Sequence, residues 1–401
     1  MSAADKDGLK SVDGNVEVGV KVDIQPFKLS IPESDLEDLK RRLQATRWPN
    51  QETVTDWSQG VPLNVLRELC DYWFNSYDWR RCEAWFNSYP QYKASIDGEE
   101  IHFLHIRSRH ESALPMLLLH GWPGSVLEFH KVIQPLVDPE AHGGAKEGAF
   151  DLIIPSLPGY GWSSKPSSPG WNLKRMAKAM VALMEALGYD EWVAQGGDWG
   201  ADICAVLASD HPPKSLKGIH MNTAFFNTRK EIHPPSRPSP PELRAKGKEE
   251  AFEKFESGYF KLQATRPQTI GYALADSPIA QAAWIYEKVH TWTQHSGDVE
   301  QVLSKYEILD NIMVYWLSNS GASSARLYWE DDDNVALPID IPVGMSIVPG
   351  DLVSAPCEWG ERYYSNIVHW REVEMGGHFA AWEVPDLFVR EVRDCFRHIP
   401  K

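Results

Sequence analysis

Cysteine is scarce in this chain, with five in 401 residues and no Cys-x-x-Cys among them. Cys70, Cys82, Cys204, Cys357 and Cys395 are odd in number and scattered. That pattern excludes a disulfide framework and a cysteine zinc site, and it fits a reducing compartment. No run of roughly eighteen consecutive apolar residues occurs, so no transmembrane helix is expected. The first residues, MSAADKDGLKSVDGNVEVGVKVD, are polar and lack the apolar core of a signal peptide. Positive charge is in deficit: Lys and Arg number 40 against 56 Asp and Glu, for a net −16. Nucleic acid and anionic membrane are therefore poor partners. Neither a dinucleotide fingerprint nor a metal-ligand cluster is present, so no cofactor and no metal is implied. These absences together describe a soluble cytoplasmic protein. What is abundant is tryptophan, with 17 residues, a side chain that fills cores and lines apolar ligand pockets.

Along the chain the text changes character three times. Residues 1–95 open with a tail expected to be mobile. A helix follows in SIPESDLEDLKRRLQATRWP, where Ser30 and Glu33 suggest a capping box and Leu36, Leu39 and Leu43 share a face. Aromatic-rich helical text, LRELCDYWFNSYDWRRCEAWFNSYP, comes next. Residues 96–225 alternate strands and helices: EIHFLHI, MLLLH, DLIIPSL, WVAQG and LKGIHMN are short and apolar. Between them LKRMAKAMVALMEALG keeps helical spacing through Leu173, Met176, Met180, Leu183 and Leu187, and Gly188 stops it. Buried strands alternating with helices mean a mostly parallel α/β sheet. Residues 226–335 break the rhythm with a proline-rich link and helical text. Residues 336–401 resume it with VGMSIVPG, IVHWREV and the helix VPDLFVREVRDCF. A helical insertion in an α/β core sits as a cap over the C-terminal edge of the sheet, where open α/β folds bind ligands.

Serine is missing from one place where it is usual. In QGGDWGA, Asp198 ends a strand, stands among Gly196, Gly197 and Gly200, and starts a helix. This is the arrangement of a nucleophile elbow, with aspartate in the serine position. The alternative is a helix N-cap, which aspartate also favours. HGWPGS at 120–125 follows the strand MLLLH, and the VLEFHKVI after it has helical text. The backbone N–H groups of Trp122 and Trp199 are then the candidate oxyanion hole. GGHFAAWEVPD puts His378 in a loop before the last helix, where a triad in the order nucleophile, acid, histidine ends. For the acid, Asp351 in SIVPGDLVSAP lies just past a strand end and is preferred to Glu358 and Asp310.

Taken in order, these stretches resemble an epoxide hydrolase of the α/β-hydrolase fold, on the branch of the fungal enzymes and the mammalian microsomal enzyme. The resemblance runs from PFKLSIPESDLEDLKRRLQATRWP through HGWPGS, PSLPGYGWSSKP, GGDWGA and ATRPQTIGYALADSPIAQAAWIYEK to GGHFAAWEVP. It implies Asp198 as nucleophile, His378 as base and Asp351 as the orienting acid. It further implies two cap tyrosines that donate to the epoxide oxygen, Tyr259 in ESGYFKLQATRP and Tyr328 in ARLYWED. Tyr259 also shares a helical apolar face with Phe252, Phe255 and Leu262, for which core is the alternative, and the resemblance favours the functional role. Tyr328 competes with Trp329 and Tyr315. The microsomal enzyme's membrane anchor has no counterpart here. The substrates implied are a small-molecule epoxide, apolar or aromatic, and water, and a homodimer through the cap is possible. Three alternatives use the same scaffold: a haloalkane dehalogenase, an epoxide-opening cyclase, and a ligand-binding protein without turnover.

Overall fold

A computed structural model describes residues 22–209, 211–224, 237–331, 339–397 and 399. The N-terminal tail, part of the proline-rich link and both ends of the expected cap lie outside them. Nine strands form one sheet: β1 (Asp23–Pro26), β2 (Gln91–Ile96), β3 (Glu99–Ile106), β4 (Leu114–Leu119), β5 (Phe150–Pro155), β6 (Trp192–Gly196), β7 (Leu216–Met221), β8 (Val343–Ile347) and β9 (Ile367–Glu372). Their order is β1-β2-β3-β5-β4-β6-β7-β8-β9. The first three strands run antiparallel up to β5, and from β5 to β9 every pairing is parallel. Strands β5, β6 and β8 are buried along their whole length. That is why they read as continuous apolar runs rather than as an alternation.

All seven strands expected from the sequence are present, and two more precede them. β1 and β2 fall in the stretch read as tail and helix. Their residues, DIQP and QYKASI, carry too few apolar positions to announce a strand; pairing of β2 with β3, and of β1 with β2, is what makes them strands. The helix Glu33–Gln44 buries Leu39 and Leu43 as its spacing demands, with Leu36 half-buried. Its start differs from expectation. Pro32 is the N-cap and no side chain caps it, so the Ser30–Glu33 capping box does not form. Glu33 is the first helical residue instead of the third, and its carboxylate takes Arg80 Nη2 at 2.7 Å. VLEFHKVI is likewise not one helix. It is a single 3-10 turn, Val126–Phe129, followed by the short helix Ile133–Val137.

Between β7 and β8 the described residues are mainly helical, chiefly in Pro240–Ala251, Gly258–Thr265, Pro267–Asp276, Pro278–Trp292, Lys305–Leu317 and Gly321–Glu330. Side chains tie this layer onto the C-terminal ends of the strands. Asn311 Nδ2 donates to the Pro123 carbonyl at 2.8 Å, and the Tyr315 hydroxyl donates to the Gly124 carbonyl at 2.7 Å. Farther out, Arg362 and the Trp359 indole both reach Glu242, at 2.5 and 3.1 Å. Among the described residues no helix is long and apolar enough to cross a membrane. Nor does any group of three or more His, Cys, Asp or Glu there gather as metal ligands.

Candidate active site

Asp198 stands where β6 turns into the helix Trp199–Ala208, at φ 50° and ψ −133°. Left-handed φ at a non-glycine residue is strained, and close packing of glycines around it holds the turn. A Cβ on Gly196 would lie 2.2 Å from the backbone of Gly200, and one on Gly200 would lie 2.2 Å from the Leu119 carbonyl. Although Asp198 occupies the N-cap position, its side chain caps nothing. The capping alternative is thereby excluded. The carboxylate instead accepts the Trp122 backbone N–H on Oδ1 at 2.8 Å, and its Oδ2 lies 3.4 Å from His378 Nε2.

Trp122 comes from the loop after β4, which pairs with β6. Trp199 opens the helix, where backbone N–H groups have no intrahelical partner. Of the two candidate oxyanion donors, the Trp122 N–H meets the carboxylate directly, and Trp199 is the residue next to Asp198 at the start of the helix. His378 follows β9, and its Nδ1 lies 2.7 Å from Asp351 Oδ1. Of the three candidate acids, Asp351 alone meets the imidazole. Asp310 is engaged by the Tyr77 hydroxyl at 2.7 Å and by Arg81 at 2.8 Å, and Glu358 is exposed. Burial works against an imidazolium at His378. The Asp351 carboxylate, joined by Asp198, outweighs it and holds the pKa well above the ordinary histidine value.

The two cap tyrosines meet on Trp122 and Trp199, and both feel the Asp198 charge. The Tyr259 ring stacks on Trp122 with centroids 5.0 Å apart and planes 11° apart. Tyr328 stands edge-on to Trp199 at 4.8 Å and to Tyr259 at 5.9 Å. Burial, then the Asp198 charge, pushes the Tyr259 phenol well above 10. Burial, Tyr259 and Asp198 do the same for Tyr328. Both hydroxyls stay protonated at neutral pH. The competitors separate cleanly, since Trp329 is 46% exposed and Tyr315 spends its hydroxyl on Gly124. The apolar face that made Tyr259 read as core is not continuous. Phe255 is 71% exposed, because a π-helical turn, Phe252–Glu256, rotates it away from the helix bearing Tyr259.

Some contributors were not legible in the sequence. Thr223 Oγ1 accepts the Asp198 N–H at 3.0 Å. The parallel pairing of Gly196 with Met221 sets Thr223 opposite Asp198, and that register is unknown before the strands are ordered. Trp292, with its ring 5.0 Å from that of His378, arrives from the cap with no motif to mark it.

The chain is similar to known proteins along nearly its whole length. Residues 24–129 match the family model described as epoxide hydrolase N terminus, and residues 115–269 match the alpha/beta hydrolase fold model. A Stigmatella aurantiaca protein provisionally named an epoxide hydrolase is 55% identical over 94% of this chain and 85% of its own. Epoxide hydrolase 1 of Oryctolagus cuniculus is 34% identical over 94% of this chain and 90% of its own. The solved structure of Aspergillus niger epoxide hydrolase superposes with a TM-score of 0.84 at 31% identity, covering 95% of this chain and 97% of that one.

Proposed function

The chain belongs to the epoxide hydrolases of the α/β-hydrolase fold, and from that premise we propose that it converts an apolar or aromatic epoxide to a vicinal diol through a covalent ester on Asp198. The observation that carries this reading is one carboxylate held by the Trp122 N–H, faced by His378 and roofed by Tyr259 and Tyr328. An epoxide is a strained ether, and its carbon opens by backside attack. A carboxylate is ionised at neutral pH and attacks without first losing a proton. One Asp198 oxygen bonds the epoxide carbon, the ring C–O bond breaks, and the oxygen leaves as an alkoxide that the tyrosine hydroxyls hydrogen-bond and protonate. Serine in the same place would leave an ether on the enzyme, which water does not readily cleave. Aspartate leaves an ester, which water does.

Ester formation removes the Asp198 charge, and with it one of the two charges that raise the His378 pKa. The histidine is thus better able to be neutral when a base is needed. His378 takes a proton from water as the water adds to the Asp198 carbonyl carbon, and the N–H groups of Trp122 and Trp199 stabilise the oxyanion. Asp351 keeps Nδ1 protonated and stabilises the imidazolium. Collapse of the intermediate breaks the bond to the diol oxygen that came from Asp198, which takes the proton held by His378. The proton left on the Asp198 carboxyl returns to the tyrosine that gave one up, so that the diol departs and both carboxylate and phenol are restored. Trp122, Trp199 and Trp292 pack on the two tyrosines and on His378, and aromatic surroundings of this kind favour an apolar or aryl substrate. The relatives' epoxide chemistry favours this reading over dehalogenation and over binding without turnover.

Single turnover in ¹⁸O-water tests it. The label is expected in Asp198 and not in the diol formed by that turnover. Label in the first diol would mean direct attack by water and would remove the ester from the mechanism.

A further inference from the structure

Four consecutive backbone N–H groups around His378 all end on acceptors outside their own loop. Gly376 N–H donates to Gln294 Oε1 at 2.6 Å, and Gly377 N–H to Glu383 Oε2 at 2.9 Å. His378 N–H donates to the Trp292 carbonyl at 2.9 Å, and Phe379 N–H to Glu383 Oε1 at 2.9 Å. The Gln294 N–H closes the circuit on Glu383 Oε2, also at 2.9 Å. Trp292 and Gln294 lie at the end of a cap helix, whereas Glu383 ends the short helix after the loop. One carboxylate therefore takes the N–H before His378, the N–H after it and an N–H of the cap. The fit is tight at Gly377, where a Cβ would stand 2.4 Å from the Trp292 carbonyl and 2.8 Å from Glu383 Oε2.

All three bonds to Glu383 are accepted, so both carboxylate oxygens serve backbone donors. Burial pushes its pKa up to about 7, and the three N–H groups and His378 pull the other way. Neither Glu383 nor Gln294 is part of the ring-opening machinery, which consists of Asp198 and the two tyrosines. What they hold is the backbone that carries the base.

Building on the Asp198 ester reading, we propose that Glu383 and Gln294 are positioning residues that set His378 Nε2 for the ester-hydrolysing step. The cap then serves both half-reactions: its tyrosines act in ring opening, and its residues 292–294 fix the base for hydrolysis. An amide at position 383 keeps an oxygen for some of these donors but turns an NH2 toward at least one of them. The loop shifts, and a displacement of about 1 Å can cost on the order of 100-fold in rate.

The experiment is rapid mixing of wild type, Glu383→Gln, Glu383→Ala and Gln294→Ala with styrene oxide. Tryptophan fluorescence follows the two steps, and intact-protein mass measures the ester. In Glu383→Gln the ester is expected to form within about 3-fold of the wild-type rate and to break down about 30- to 100-fold more slowly, so that it accumulates. Glu383→Ala is expected to be slower still, and Gln294→Ala to slow breakdown about 10-fold. Equal losses in both steps, or ester breakdown at the wild-type rate, would overturn the proposal. Should Glu383→Gln not fold, Gln294→Ala carries the same comparison with Glu383 intact. Absence of ester in the wild type would overturn the Asp198 reading itself, whereas an ester whose breakdown is indifferent to both residues overturns this inference alone.

Discussion

His378 faces Asp198 with Nε2 3.4 Å from Oδ2 while its other ring nitrogen is bound to Asp351 at 2.7 Å. The imidazole lies between two carboxylates, and its pKa is raised well above the usual value by both. Replacing Asp198 with asparagine removes one of those charges and keeps the shape, as ester formation does. The His378 pKa is expected to fall in Asp198→Asn relative to wild type, read by NMR titration of the ring protons. An unchanged or higher pKa would mean that the Asp198 charge does not govern the base. The rate of ester breakdown in the wild type should rise with pH and level off once the imidazole of the ester form is neutral.

Removal of one donor to the leaving oxygen should act on the first step. Tyr259→Phe and Tyr328→Phe are each expected to slow ester formation about 100-fold, on the order of 3 kcal/mol of barrier, with a much smaller effect on ester breakdown. Pre-steady-state traces separate the two rates. Equal effects on both would return these tyrosines to the core.

Asp351→Asn should do the reverse. An asparagine in that place can stabilise the wrong tautomer of His378 and no longer supports the imidazolium, which typically costs about 10⁴-fold in triads of this geometry. Ester should form and persist, detectable as added mass on the peptide containing Asp198. Normal turnover by this variant would return the acid role to one of the other carboxylates.

Gly121→Ala probes how the nucleophile is seated. The new Cβ would be 2.2 Å from Asp198 Oδ1 and 2.4 Å from its Cβ, so the carboxylate must move. Activity is expected to drop by about 100-fold or more while the melting temperature stays near that of wild type. Retained activity would show that Asp198 tolerates displacement.

Much of the architecture was legible because burial leaves a mark on composition. Strands covered on both faces must be apolar throughout, so the inner strands β4 to β8, buried along nearly all of their length, announced themselves. The elbow announced itself too, because only glycine permits the approach of β6 to its helix. β1 and β2 did not, since the edge strand β1 and its neighbour β2 are only partly buried and take their conformation from their partners. The capping box failed because Pro32 reset the helix start by a few residues, which spacing alone cannot reveal.

By itself, the sequence determined the order of the elements and the chemical types at Asp198, Asp351, His378 and the two tyrosines, because motifs are local. Tertiary structure alone decided which acid meets His378, which aromatic residues face the carboxylate, and that Thr223, Gln294 and Glu383 support the site. Those relations join residues far apart in the chain. They depend on strand register, on a π-helical turn that swings Phe255 outward, and on where the cap lands, none of which a linear pattern encodes.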